Sequence, residues 1–390
     1  MRRNSSIPGE IADAAARLSG PFSVYVHIPF CLRKCPYCSF YSMPVEEHDR
    51  DRYLALAERE IRRFGELLPR DNCAVSTVYV GGGTPTLLSP GEWDSLFGLL
   101  KGFLPFSPSP EITAEANPES YSEDHTEVWK KWGVTRVSLG VQSFSDQDLN
   151  WLERPHNGER ARLALKKAVA ANFSVSADLM FGLREQNLRG WKNSVSEAIG
   201  LGVHHISLYQ LSIDEGCRWS INPPENLPDG YPMYRWSQWY LPRKGFDQYE
   251  IASFAKPGHH CRHNLSYWTN APVLAIGAGA WGYLGNTRYR NGSTVKEYGD
   301  TVGKYGCGAV ALERLEPEKT FREAAVLLLR TKWGIPFRDF SRRYGKEALQ
   351  SVILTLRNEA PRDCIDFRGD SLALTRKGMR VANSIWSLII

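Results

Sequence analysis

The chain has 390 residues, 42% of them hydrophobic and 23% charged, with a net charge of +5. That balance excludes a disordered chain, and the length suits one large domain with a smaller one. Acidic and basic residues are mixed without a long basic run, so nucleic acid is not an expected partner, and no apolar stretch is long enough to span a membrane.

Residues 1–20 carry Arg2 and Arg3 but lack the apolar core of a signal peptide. They read as a loose leader, with a short helix in the Ala-rich part as the alternative. Residues 23–27 form a strand of β-branched and aromatic residues. A helix follows over 50–68, its apolar residues at Tyr53, Leu54, Leu56, Ala57, Ile61 and Phe64. The next strand, 75–80, ends at Gly81-Gly82-Gly83, and Ser89-Pro90-Gly91-Glu92 has the residue order of a helix start. Strands are then expected over 111–115, 136–141, 174–179 and 205–210. Helical segments lie between them at 122–132, 145–151, 158–171 and 190–200. Such alternation predicts an α/β fold, a parallel sheet with right-handed crossovers that curls into a partial (β/α)6 TIM-like barrel over residues 21–255.

The rhythm breaks after Leu211. A proline-rich stretch, an aromatic-dense segment over 231–242 and a short strand over 249–254 follow. Residues 256–315, with the Gly-rich run 276–282, read as a connecting region. Helices over 320–329, 335–344 and 346–358, a hairpin over 366–374 and a last helix from Thr375 predict a small, mostly helical, winged-helix-like domain at 316–390.

Of eight cysteines, Cys31, Cys35 and Cys38 fall within eight residues and directly follow the first strand. A chain this long with scattered remaining cysteines is not a disulfide scaffold, so a reducing, cytoplasmic compartment is expected. Three close thiolates at a strand's C-terminal rim suit three irons of a [4Fe–4S] cluster, leaving the fourth iron for a small chelator with an amine and a carboxylate. A zinc site short of a ligand is the alternative, and it lacks the second Cys-x-x-Cys knuckle such sites usually carry. The glycines 81–83 would let the backbone approach a ligand closely. Four further strands end on or carry a polar residue near the same rim: Glu115, Gln142, Asp178 and Gln210.

The spacing Cys31-x3-Cys35-x2-Cys38, with Tyr37 before the last cysteine, resembles the signature of the radical-SAM superfamily. Within it, Tyr25-Val-His-Ile-Pro-Phe-Cys31, Gly81-Gly82-Gly83-Thr84-Pro85 and Gly140-Val-Gln142-Ser-Phe144 resemble the oxygen-independent coproporphyrinogen III oxidase-like branch. The resemblance runs from Pro21 to the C-terminus. It implies a [4Fe–4S] cluster on the three cysteines and S-adenosylmethionine (SAM) beside it. It also implies SAM contacts from Tyr25, Gly82, Gly83, Thr84, Glu115, Gln142, Arg154, Asp178 and Gln210. Tyr37 is expected to pack near the cofactor, and Trp281 matches more loosely. Some related oxidases hold a second SAM, so the number bound stays open.

The branch contains oxidases and haem chaperones of the HemW kind. The oxidases carry a longer N-terminal extension and often a further cysteine where this chain has Phe40. The chaperones carry His-Asn-x-x-Tyr-Trp, here His263-Asn264-Leu-Ser-Tyr267-Trp268. The resemblance therefore implies a haem chaperone, with haem as cargo, haemoproteins as acceptors and a reductant for the cluster; peripheral contact with a membrane stays open. His263 is the first candidate for a haem ligand among His259, His260, Cys261 and His263, against the alternative that this loop braces the barrel. Oxidative decarboxylation of coproporphyrinogen III, and a methyl or methylene transfer, are the other readings.

Overall fold

The computed structural model describes residues 6–44 and 47–390. The chain enters through α1 (Ile7–Ala16), capped by Ser6, whose hydroxyl accepts from the Gly9 N–H. Ile11, Ala15 and Leu18 are buried in the main core, and Glu10 pairs with Arg314. Of the segment expected to be a loose leader, residues 7–16 are a docked helix, because its apolar residues recur on one face, and residues 1–5 lie outside the described residues.

Six strands run parallel, each beside the next: β1 (Gly20–Ile28), β2 (Cys73–Gly82), β3 (Phe106–Ala116), β4 (Arg136–Gln142), β5 (Ser174–Phe181) and β6 (His205–Gln210). The intervening helices are α2 (Glu47–Leu67), α3 (Pro90–Phe103), α4 (Glu123–Lys131), α5 (Asp146–Trp151), α6 (Gly158–Ala170) and α7 (Leu188–Gly200). The start at Ser89 forms a full capping box with Glu92.

The strands alternate with period two. Val24, Val26, Val78, Val80, Ile112, Ala114, Val137, Leu139, Val175, Ala177, Ile206 and Leu208 are buried in the core with the surrounding helices. The residues between them are largely polar and meet across the concave side. Thr77 donates to Ser23 Oγ at 2.8 Å, Tyr79 to Glu115 at 2.7 Å, and Ser138 to Asp178 at 2.9 Å. The inside of the curl is a hydrogen-bonded polar layer.

The sheet does not close. After α8 (Tyr231–Arg243), β7 (Asp247–Gln248) and β8 (Ser253–Ala255) add antiparallel to the β6 edge, with residues 249–252 as the turn between them. The strand expected over 249–254 is therefore mostly that turn. α9 (Arg262–Trp268) packs against β1 and β2. At the other edge, β9 (Val273–Ile276) lies parallel to β1, and β10 (Trp281–Leu284), β11 (Thr287–Asn291) and, after α10 (Val295–Tyr305), β12 (Ala309–Arg314) continue antiparallel. The region read as a connector thus supplies four of the twelve strands.

Glu60 of α2 fastens this edge. Its fully buried carboxylate accepts from Gly277 N–H at 3.0 Å, Gly308 N–H at 2.7 Å and Tyr298 O–H at 2.8 Å, and Asn291 Nδ2 lies at 3.3 Å. Burial outweighs these donors and pushes its pKa up to about 7.

The C-terminal unit comprises α11 (Pro317–Leu329), β13 (Ile335–Pro336), α12 (Phe337–Tyr344), α13 (Lys346–Glu359), β14 (Ile365–Phe367), β15 (Ser371–Leu374) and the short α14 (Arg376–Arg380) and α15 (Ala382–Trp386). Its strands order β13-β15-β14, and Leu329, Phe340, Val352, Leu356, Leu372 and Ile385 form a core of its own. It is tied to the sheet edge by Ile251 N–H donating to Arg330 O and Lys332 N–H to Tyr249 O.

Candidate functional site

A cavity of about 390 Å³ opens at the C-terminal ends of the parallel strands. Cys31, Cys35 and Cys38 line it, and all three are unpaired thiols. Residues 30–31 pair with 43–44, closing the base of the cysteine loop. The Gly-rich turn lies against that loop: Gly83 N–H donates to Ile28 O and Thr84 N–H to Phe30 O. A Cβ on Gly83 would sit 2.5 Å from Phe30 O and 3.1 Å from Cys31 Sγ. Gly82, at φ +120°, would place one 2.6 Å from the His27 ring. Only glycine permits this approach. Thr84 Oγ1 is 3.7 Å from Cys31 Sγ.

The rim residues converge on the same cavity. Glu115 Oε2 accepts from Gly82 N–H at 2.9 Å while Oε1 accepts from Tyr79, and burial pushes the carboxyl up to about 7. Asp178 accepts from Ser138 and Ser176, and burial raises its pKa too. Arg154 donates to Cys35 Sγ at 3.5 Å and to Gly140 O at 3.2 Å. Gln142 takes a left-handed backbone, φ 63°, as its strand turns out of the sheet. Burial holds the thiols of Cys31 and Cys38 above the usual cysteine range.

Twelve of the residues singled out in the sequence therefore share one cavity: the three cysteines, Tyr37, Gly82, Gly83, Thr84, Glu115, Gln142, Arg154, Asp178 and Gln210. Three lie elsewhere. Tyr25 belongs to the polar layer below, with its hydroxyl 2.9 Å from His27 Nδ1 and its ring against Tyr79. Trp281 opens β10, is 53% exposed and carries Arg290 over its ring. His263 is 1% exposed inside the curl. Its Nδ1 is 2.8 Å from Thr77 Oγ1, and burial drives its pKa down to about 3. The ring is shut away from solvent, a placement that favours the alternative in which this segment braces the barrel. His263 braces α9 against β2.

The sequence reading missed several cavity residues. Asn117, whose amide donates to Thr84 Oγ1, lies just past the end of β3. Its signal was the Asn-Pro step after the strand. Glu119 accepts from buried His156 at 3.1 Å. Tyr209 lines the cavity, and Trp219 packs against Tyr37 and Trp151 beyond it. Trp219 reaches the site from a loop after β6, where no periodicity points.

The residues present fit an iron–sulfur cluster with SAM. Three thiols share the wall with a guanidinium, and Arg154 Nε is a buried donor without a protein partner. Among the described residues no three His, Cys, Asp or Glu side chains surround a single-ion position. Beside the thiols, the cavity offers four carboxyls (Glu115, Glu119, Asp178 and Asp214), three side-chain amides (Asn117, Gln142 and Gln210) and a Gly-rich backbone. That donor and acceptor set suits a ligand with amine, carboxylate and hydroxyl groups.

The radical SAM superfamily profile matches residues 25–198, and the HemN C-terminal domain profile matches 315–381. The chain is 31% identical over 379 residues to the heme chaperone HemW of Bacillus subtilis, covering 94% of this chain and 99% of that protein. It is 37% identical over 267 residues to the heme chaperone HemW of Escherichia coli, covering 67% of this chain and 70% of that protein. The solved structure of coproporphyrinogen III oxidase (HemN) from Escherichia coli, described as a radical SAM enzyme, superposes with a TM-score of 0.85 at 21% identity, over 97% of this chain and 92% of that one. That likeness establishes the fold: a radical-SAM sheet, open along its length, with a HemN-type helical domain.

Proposed function

The chain belongs to the radical SAM superfamily and, within it, to the family of the heme chaperone HemW; from that premise we propose that it binds haem and delivers it to haemoproteins, with a [4Fe–4S] cluster and SAM as its own cofactors. The observation that carries this is the near full-length kinship to proteins of that name, joined to a cavity that holds the three cysteines and the rim residues together.

In this reading Cys31, Cys35 and Cys38 ligate the cluster, and Arg154 balances the charge its thiolates bring. Gly82, Gly83, Thr84, Glu115, Gln142, Asp178 and Gln210 hold SAM, with Tyr37 packed alongside. A cluster held on these thiolates would, once reduced, supply an electron to SAM bound beside it. Glu115 keeps the Gly-rich turn in place through Gly82 N–H, so losing its charge affects both ligand and turn. Haem is cargo, held outside the polar layer that encloses His263. No helix among the described residues is long and apolar enough to cross a membrane.

The deciding experiment is an anaerobic preparation with reconstituted cluster, titrated with haem, mixed with an apo-haemoprotein, and assayed in parallel for coproporphyrinogen III turnover. Stoichiometric haem binding and transfer without turnover is the expected result. Sustained decarboxylation of coproporphyrinogen III would replace this reading with the oxidase one. Cys35→Ala should lose the cluster absorbance in the same preparation.

A further inference from the structure

The carboxylate of Asp178 is continued by hydrogen bonds through three buried side chains, away from the cavity and toward the C-terminal unit. Its Oδ1 accepts from Ser176 Oγ at 3.2 Å. Ser176 Oγ is 2.8 Å from His205 Nδ1, and His205 Nε2 is 2.8 Å from Tyr249 O–H. Tyr249 also accepts from Cys261 N–H at 3.2 Å. Ser176, His205 and Tyr249 are each no more than 1% exposed. The chain of donors has a direction. A carboxylate has no proton to give, so Ser176 donates to it; Ser176 must then accept from His205 Nδ1–H. A neutral imidazole with its proton on Nδ1 presents a bare Nε2, which the Tyr249 hydroxyl fills.

From this geometry we infer that Tyr249 and His205 are positioning residues for Asp178: the line Tyr249–His205–Ser176 fixes the His205 tautomer, and the tautomer keeps the Ser176 hydroxyl donating to the carboxylate that meets SAM. The inference rests on the proposed reading that Asp178 contacts SAM. Tyr249 sits in the turn beside the C-terminal unit, which receives its carbonyl through Lys332 N–H. The turn far from the cysteines therefore reaches the cofactor through one imidazole.

The line also sets a pH dependence. Asp178 faces Glu115 from β3, Arg136 from β4, Tyr79 from β2 and Tyr209 from β6, with Ser138 on its other oxygen and Ser207 alongside. Glu115 opposes its ionisation and Arg136 favours it. His205 is buried and held neutral, its pKa driven far down first by burial and then by Arg136, His260 and His259. The Ser176 donor favours the charged form of Asp178, so losing it moves the acid limb of SAM binding to higher pH.

The test is equilibrium SAM binding across the neutral pH range, by the full chain with reconstituted cluster. Tyr249→Phe keeps the ring that packs on His260 at 4.5 Å but removes the hydroxyl. His205 can then move its proton to Nε2 and accept from Ser176, taking that donor from Asp178. Tyr249→Phe and His205→Leu should each weaken SAM about tenfold, as for one hydrogen bond to a charged group, and shift the acid limb upward. His205→Asn, whose amide N–H replaces Nδ1–H, should keep both near the parent values. Should His205→Leu fail to fold, Tyr249→Phe decides alone. Parent-like affinity and limb in Tyr249→Phe, with Asp178→Asn impaired, would overturn the inference and leave the proposed site standing. Equal damage from His205→Asn and His205→Leu would overturn it too, as a packing effect. Unchanged binding in Asp178→Asn would remove Asp178 from the SAM site and the inference with it.

Discussion

The guanidinium of Arg154 donates to Cys35 Sγ at 3.5 Å while its other arm holds Gly140 O. A residue from the turn after α5 thus places a permanent positive charge against one of the three thiols. Arg154→Met should keep the cluster but make it harder to reduce. A unit charge about 4 Å away in a medium of effective ε about 20 is worth about 4 kcal/mol, so a fall in potential on the order of 100 mV is expected. Anaerobic redox titration followed by electron paramagnetic resonance reads it; an unchanged potential would show that the charge acts elsewhere.

Glu115 should link SAM binding to pH. Its carboxyl sits at about 7 before ligand arrives, with burial as the main cause. SAM carries a sulfonium cation, so the ionised carboxylate is the form that binds best. Affinity should rise as pH passes upward through about 7 and fall by up to about tenfold per unit below it. Glu115→Gln should remove the step centred near 7, leaving only the limb that Asp178 sets, and weaken SAM at pH 8. Isothermal titration at several pH values checks both.

Glu60 acts on stability instead. An acid raised from 4.5 to about 7 on folding is protonated in the folded chain over a window where the unfolded chain has lost that proton. Its contribution is therefore full below about 4.5 and declines as pH rises through about 7. The loss is on the order of 3 kcal/mol across the window. Glu60→Gln should remove this slope, and should also lower stability throughout, because its amide NH2 would face Gly277 N–H or Gly308 N–H. Urea unfolding at pH 5 and pH 8 measures the difference.

His263→Leu should leave haem binding intact. The ring is enclosed by Thr77, Tyr79 and Tyr267. Its loss should cost about 1–3 kcal/mol by leaving Thr77 short of a partner. A haem titration and a thermal melt on the same sample separate the two effects. A variant that is stable yet no longer binds haem would return His263 to the cargo site.

The sequence disclosed the rim more readily than the interior. The cysteine spacing and the glycines before Thr84 are local in the chain, and Glu115, Gln142, Asp178 and Gln210 are polar residues near the ends of apolar strands. Each could be read alone. The polar layer could not, because Thr77, Ser138, Ser176 and His205 look like ordinary interruptions of buried strands until the sheet curls and brings them together. Similarly, β9 is four apolar residues before a Gly-rich turn, and nothing local says that it pairs with β1. His263 stands out as a candidate ligand through its motif and its neighbouring histidines; the helix that begins at Arg262 turns it inward.

The pairing of β1 with β9 fixes a timetable for biosynthesis. The strand that carries the cysteine loop gains its second neighbour only when residues 273–276 have been made. The anchor of the loop's entry is equally late, since Ala278 N–H donates to Tyr53 O–H, which holds His27 O. At about 5–20 residues per second, the three thiols leave the ribosome on the order of ten seconds or more before that seam can close. Metal loading of a finished site is therefore a task for after residues 273–276 have emerged, and until then the thiols stand open to oxidants and to competing metals.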